Sequence, residues 1–191
     1  MDVLSEIGFG VRYHGLTWND FDISVSPEAQ AKRDACLLYA NSFETALKNG
    51  DNGLLYGSPG TGKTMLTALI AGAVKKSGHD VLRLSAWKAV SPVRCGDNVG
   101  VNIWIPFLKP DLLIIDNFDM SRQTPEEKDF LFEVIFDRYD ECRPTIVIAD
   151  TNREKSIYAN DIHLFRFMNT CTLMEDMTWP SYRRRHLKNN C

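Results

Sequence analysis

Residues 57–64 read Gly57-Ser58-Pro59-Gly60-Thr61-Gly62-Lys63-Thr64. No other stretch constrains the fold so strongly, because each fixed position of this G-x-x-x-x-G-K-[ST] pattern has a physical task. Its glycines permit a tight turn whose N–H groups point inward at a polyphosphate. Lys63 brings a mobile positive charge to the β- and γ-phosphates, and Thr64 offers a hydroxyl to Mg²⁺. Gly53-Leu54-Leu55-Tyr56 forms a short apolar strand leading into the loop. Met65 to Lys76 forms a helix whose N-terminus faces the phosphates, where its dipole favours negative charge.

The chain has 191 residues, which suits one domain with a core able to stand alone. A formal net charge of −3 excludes a surface that is basic throughout, so any nucleic-acid contact must come from a local patch. The five cysteines are scattered without C-x-x-C spacing, and the four histidines are equally dispersed, so no zinc site is expected. An odd cysteine count in a nucleotide-binding chain points to reduced thiols and a cytoplasmic location. The N-terminus lacks a basic-then-apolar leader, and no apolar run approaches the roughly 20 residues that span a bilayer. No membrane partner is expected.

Residues 1–26 read as an extended arm, pinned by Tyr13, Trp18 and Phe21, and residues 27–191 as a single ATPase domain. Ser26-Pro27-Glu28 opens a helix that runs to Lys48. After the loop and its helix, Val81–Leu84 is a second strand. Residues 86–108 carry Pro92, Gly96, Gly100 and Pro106, which predicts a loop-rich excursion with a short turn or two. Leu112–Asp116 is an apolar strand buried on both faces. Thr124-Pro125-Glu126-Glu127 opens a helix to about Tyr139, with Phe130, Val134 and Asp137 on one side and Leu131, Ile135 and Tyr139 on the adjacent one. Thr145–Ala149, a helix over 157–168 and a strand near 171–174 complete the series. Alternating strands and helices predict an α/β P-loop NTPase with a central parallel sheet flanked by helices.

The second half of the site is Leu112-Leu113-Ile114-Ile115-Asp116. The acid at the end of this strand is expected beside the phosphate loop, holding the Mg²⁺ hydration shell with Thr64 as a Walker B aspartate does. Asn117 follows where hydrolytic enzymes often place an acid. Asn orients a water but cannot take its proton, so slow turnover is expected, in preference to rescue by Asp119. Beyond the next strand, Asp150-Thr151-Asn152-Arg153 offers a polar sensor of the γ-phosphate. Asn152 is the better chemical candidate and Asp150 the one nearer the strand end, while Asn152 also suits a helix cap. The basic tail, Ser181-Tyr182-Arg183-Arg184-Arg185-His186-Leu187-Lys188, is either a phosphate-contacting patch or a solvated charge run, and Arg183 is placed to reach the nucleotide instead.

With both Walker motifs present, the flanks are informative. Arg12-Tyr13-His14-Gly15-Leu16-Thr17-Trp18-Asn19-Asp20-Phe21 resembles the lead-in of the DnaC-type helicase loaders and IstB transposition ATPases, a branch of the AAA+ superfamily. Arg143-Pro144-Thr145-Ile146-Val147 resembles their sensor 1 strand, and Trp179-Pro180-Ser181-Tyr182-Arg183 their terminal Ser-Tyr-Arg element. The resemblance spans roughly residues 10 to 188 and implies an AAA+ ATPase that binds ATP and Mg²⁺ between neighbouring subunits of an oligomer. It implies that Arg166, in Leu164-Phe165-Arg166-Phe167, is the finger aimed at a neighbour's γ-phosphate, a role suited to a planar, permanently charged guanidinium. Phe165 stands where that family carries Asp. Arg183 becomes a sensor 2-like residue. Single-stranded DNA contacts are expected near Trp87, Lys88 and Arg94.

The leading expectation is thus a DNA replication accessory factor that loads a replicative helicase onto single-stranded DNA under ATP control. The alternatives are a transposition-helper ATPase of IstB type and a nucleotide-gated interaction module with little hydrolysis. A nucleotide or small-molecule kinase fits less well, because no Arg-rich lid segment follows the core.

Overall fold

The computed structural model describes residues 3–91, 105–120, 124–150 and 162–182. Asn152, Arg183 and Arg94 lie outside these residues. Five strands form one sheet: β1 (Asn52–Gly57), β2 (Val81–Ser85), β3 (Leu112–Asp116), β4 (Thr145–Ile148) and β5 (Cys171–Met177). Their order is β2-β3-β4-β1-β5, and every neighbouring pair is parallel. The helices are α1 (Val3–Ile7), α2 (Ala29–Asn41), α3 (Phe43–Asn49), α4 (Lys63–Lys76), α5 (Ala86–Ala89), α6 (Ile105–Leu108), α7 (Pro125–Asp140) and α8 (Ile162–Met168).

Successive strand residues point to opposite faces of a sheet. Leu112, Ile114, Ile146 and Ile148 therefore join a core with α1 to α4, while Leu113, Ile115 and Val147 join a second core with α5, α7 and α8. Two helical layers on a parallel sheet explain why residues 112–115 are continuously apolar. The fold is the expected α/β P-loop architecture. Because β4 lies between β1 and β3, the C-terminal ends of all three open on the same edge. That edge is where ligands bind in sheets of this kind.

Several local expectations change. The single helix over 27–48 breaks in two at Ser42, whose backbone leaves the helical region and whose hydroxyl donates to the Leu38 carbonyl at 2.8 Å. Serine side chains compete with helical hydrogen bonds in this way. Gly50, with φ of 72°, ends α3 in the left-handed conformation. The segment expected to be extended is instead α1 followed by three short 3-10 turns, and it buries Leu4, Ile7, Phe9 and Phe21 in the first core. On α7 the buried stripe runs Phe130, Leu131, Val134, Ile135 and Arg138, leaving Asp137 and Tyr139 exposed. Strand β5 continues to Met177, three residues beyond its expected end, and pairs with Gly57 at the mouth of the phosphate loop.

Candidate nucleotide-binding site

The loop between β1 and α4 is held from several sides. Gly57 and Ser58 carbonyls accept from the Lys63 ammonium at 3.0 and 2.7 Å. Gly60 accepts from the Tyr182 amide at 2.9 Å, and Thr61 accepts from the Trp179 indole at 3.0 Å. These four carbonyl oxygens are thus satisfied on the protein side, which leaves the loop N–H groups to serve an anion. Gly62 has a φ of 101°, and a Cβ there would lie 2.7 Å from the Phe21 ring. Only glycine combines that backbone with that approach. Phe21 meets Trp179 and Tyr182 edge-on, with ring centroids 6.3 and 5.9 Å apart. The Tyr182 hydroxyl donates to the Asp22 carbonyl at 2.7 Å.

A cleft of about 560 Å³ opens over this loop. Pro59, Gly60, Gly62, Lys63 and Thr64 line its phosphate end, together with Asn117 and Asp150. Asn117 adopts a φ of 54°, a left-handed backbone that asparagine tolerates better than most residues. Asp150 lies just past β4, and its carboxylate is 2.9 Å from the Lys63 ammonium. Its amide donates to both carboxylate oxygens of Asp119, at 3.1 and 3.0 Å. Burial raises the Asp119 carboxyl above its usual range, and this amide is one of the contacts that oppose the rise. Asp119 thus anchors the end of β4 and is not among the cleft residues.

The opposite walls come from both ends of the described chain. Arg12, Tyr13, Asp20, Asp22 and Tyr182 line them. Signals existed in the lead-in and the Ser-Tyr-Arg ending. Nothing local, however, shows that two segments some 160 residues apart meet over the loop. Backbone amides, the Lys63 ammonium and the Arg12 guanidinium give the cleft donors for a polyphosphate, with the Tyr13 and Tyr182 rings beside them.

Asp116 is nearly fully buried, at 2% exposure, and sits behind the cleft rather than on its surface. One carboxylate oxygen accepts from the Asn117 amide at 2.9 Å, and the other pairs with the guanidinium of Arg83 on β2. Arg83 also donates to the Gly8 carbonyl at 3.0 Å and lies over the Phe9 ring. No local sequence pattern marks this partner of Asp116, because the pairing depends on β2 lying beside β3. Breaking a buried ion pair from one side leaves a desolvated charge. Arg83→Met is therefore expected to lose about 2 kcal/mol, discounted for the partial exposure of Arg83. Thermal melting by circular dichroism measures it, and an unchanged midpoint would remove Arg83 from the account.

Arg166 lies on the exposed side of α8, its guanidinium 4.6 Å from the Phe136 ring centroid, and it does not line this chain's own cleft. Trp87 and Lys88 are exposed on α5.

Fold and site together define an α/β P-loop nucleotide-binding protein. The family model described as IstB-like ATP binding protein matches residues 13–160, and the chain belongs to that family of ATP-binding proteins. An ATP-binding protein of an insertion sequence in Mycobacterium tuberculosis (strain ATCC 25618 / H37Rv) is 29% identical over 177 residues, 88% of this chain and 68% of that protein. Among solved structures, the DnaC helicase loader superposes with a TM-score of 0.70 at 13% identity, covering 90% of this chain and 100% of that one. A replication initiator DnaA bound to AMPPCP and single-stranded DNA gives 0.72 at 19% identity, covering 89% of this chain and 51% of that one. The chain thus spans about half the length of that initiator. No helix among the described residues is long and apolar enough to cross a membrane.

Proposed function

We propose that the protein is an ATP-controlled replication accessory factor that loads a replicative helicase onto single-stranded DNA. One observation carries the reading. The two elements that resemble the DnaC-type loaders and IstB transposition ATPases, Arg12–Phe21 and Trp179–Tyr182, converge on the phosphate loop and help form its cleft. A nucleotide held there touches segments from both flanks of the domain, which gives ATP a way to control assembly. Lys63 would meet the β- and γ-phosphates and Thr64 would hold Mg²⁺, which offsets charge on the phosphates, while Asp116, behind the cleft and paired with Arg83, would act on the ion through its hydration shell. Asn117 supplies an amide where an acid is common, so it would orient a water without taking its proton.

Self-association completes the site in this reading. Arg166 is exposed and stands apart from its own cleft, as a residue serving a neighbour's nucleotide must be. Arg166→Ala should leave ATP binding intact and lower steady-state hydrolysis at least tenfold, a modest share of what such arginines supply. Equal turnover by the variant would defeat the shared-site reading. Asn152 remains proposed as a γ-phosphate sensor, and Arg183 as a sensor 2-like residue that reaches the nucleotide, on the strength of their positions in the sequence.

Light scattering after size exclusion tests the function as a whole, with and without ATP, single-stranded DNA and the replicative helicase. The expected result is an ATP-dependent oligomer that retains both DNA and helicase. A monomer indifferent to all three would overturn it. The insertion-sequence relative favours a second reading, a transposition helper. Retention of a transposase in place of the helicase would select that reading.

A further inference from the structure

We propose that Asp150 is the general base for ATP hydrolysis, filling the role that Asn117 cannot. The inference rests on the reading of the chain as an ATPase and adds a residue to it. Among the described residues, five carboxylates lie in or behind the cleft, and four are committed elsewhere. Asp20 accepts from the amide and hydroxyl of Thr17, both at 2.7 Å. Asp22 accepts from the amide and hydroxyl of Ser24 at 2.9 and 2.6 Å. Asp116 is paired with Arg83, and Asp119 holds the Asp150 amide. Asp150 alone turns its carboxylate onto the phosphate-binding lysine, 2.9 Å from the ammonium.

The position is built as well as close. The Ala149 amide donates to the Leu55 carbonyl at 3.0 Å, carrying the sheet hydrogen bonds up to Asp150. Asp119 then fixes the next amide, so the carboxylate stands on two anchored residues. The Asp150 side chain is 37% exposed, which admits water. Asn117 lines the same cleft and can orient that water through its amide. A base must lie within hydrogen-bond reach of the proton that it takes. Asp150 is one contact from the ammonium that meets the terminal phosphates, so a water attacking there falls within its range.

In the step, the water oxygen bonds to the γ-phosphorus and gives a proton to an Asp150 carboxylate oxygen. The bond from that phosphorus to the bridging oxygen breaks, and its electron pair stays on ADP. Asp150 later releases the proton to solvent, so ATP and water become ADP, inorganic phosphate and a proton. The same carboxylate opposes binding, because it places negative charge beside the phosphates and competes for Lys63. Asp150→Asn should therefore separate binding from turnover.

The test measures AMPPCP affinity by calorimetry and ATP hydrolysis under single-turnover conditions, for the wild type, Asp150→Asn and Asp150→Glu. Thermal melting checks that each variant is folded. Asp150→Asn is expected to bind AMPPCP about tenfold more tightly and to hydrolyse ATP about 100-fold more slowly. Asp150→Glu, which keeps the carboxylate, should recover at least tenfold of the lost rate. An Asp150→Asn rate within threefold of the wild type overturns the assignment, as does a joint fall in affinity and rate. A wild type that binds AMPPCP without hydrolysing ATP overturns the assignment and leaves the nucleotide site standing. A wild type that binds no nucleotide overturns both.

Discussion

Arg138→Met is expected to lose on the order of 4 kcal/mol of stability and to lower the melting midpoint by about 10–15 °C. Arg138 is fully buried on α7, at 0% exposure, and its hydrogen bonds go to carbonyl and hydroxyl oxygens. Its guanidinium donates to the carbonyls of Phe107, Pro110 and Pro144 at 2.8, 2.9 and 2.7 Å, and to the Thr145 hydroxyl at 3.0 Å. It also reaches the Asp111 carbonyl at 3.3 Å. Desolvation, helped by nearby Arg143, pushes the guanidinium down to about 9, which leaves it charged at neutral pH. One side chain thus ties the segment after α6 to the start of β4. Methionine matches its stem and removes all its donors. Several buried carbonyls then lose their partner, each at roughly 1–3 kcal/mol less whatever the site recovers by relaxing. Arg138→Lys should rescue little, since an ammonium has three donors and no planar fork. Circular dichroism melts decide it, and a midpoint within 3 °C of the wild type would refute the carbonyl-bridge account.

Lys63→Ala is expected to weaken ATP binding about 1000-fold while leaving the fold intact. Charge-assisted hydrogen bonds to phosphate are among the strongest that a site can offer. The Lys63 ammonium is 4% exposed and pre-positioned by two loop carbonyls. Losing it removes the attraction and leaves the Asp150 carboxylate facing the phosphates unneutralised. The two effects reinforce one another, which is why the expected loss exceeds that of one contact. Titration calorimetry with AMPPCP reads the affinity. A loss smaller than about tenfold would mean that the backbone amides hold the phosphates largely on their own.

What could be read from sequence was local. The phosphate loop, its strand and its helix announce themselves within about 25 residues, because turn, charge and helix dipole must be adjacent in the chain. Leu112–Asp116 was legible for a similar reason, as a strand covered on both faces has no polar positions to spare. Arg138 was not legible, since an arginine in an amphipathic helix ordinarily faces water. Only the carbonyls gathered around it from 107–111 and 144 justify its burial. The Arg83–Asp116 pair needed the strand order, and the cleft walls needed the meeting of Asp22 with Tyr182. The helix break at Ser42 turned on one hydroxyl choosing the Leu38 carbonyl over water. These facts belong to tertiary structure, where residues far apart in sequence decide each other's surroundings.

Arg83 makes a buried acid of the sheet and the first helix dependents of one cation. Its guanidinium binds Asp116 on one side and the Gly8 carbonyl on the other, while Gly8 packs so closely on the Arg83 backbone that a Cβ there would lie 2.6 Å from the carbonyl oxygen. Lifting α1 away from β2 must therefore alter the solvation of Asp116, although neither element lines the cleft. The Asn117 amide, bonded to that same carboxylate, would register the change as faster hydrogen exchange. Whatever grips the first ten residues thus has mechanical access to the far side of the nucleotide site.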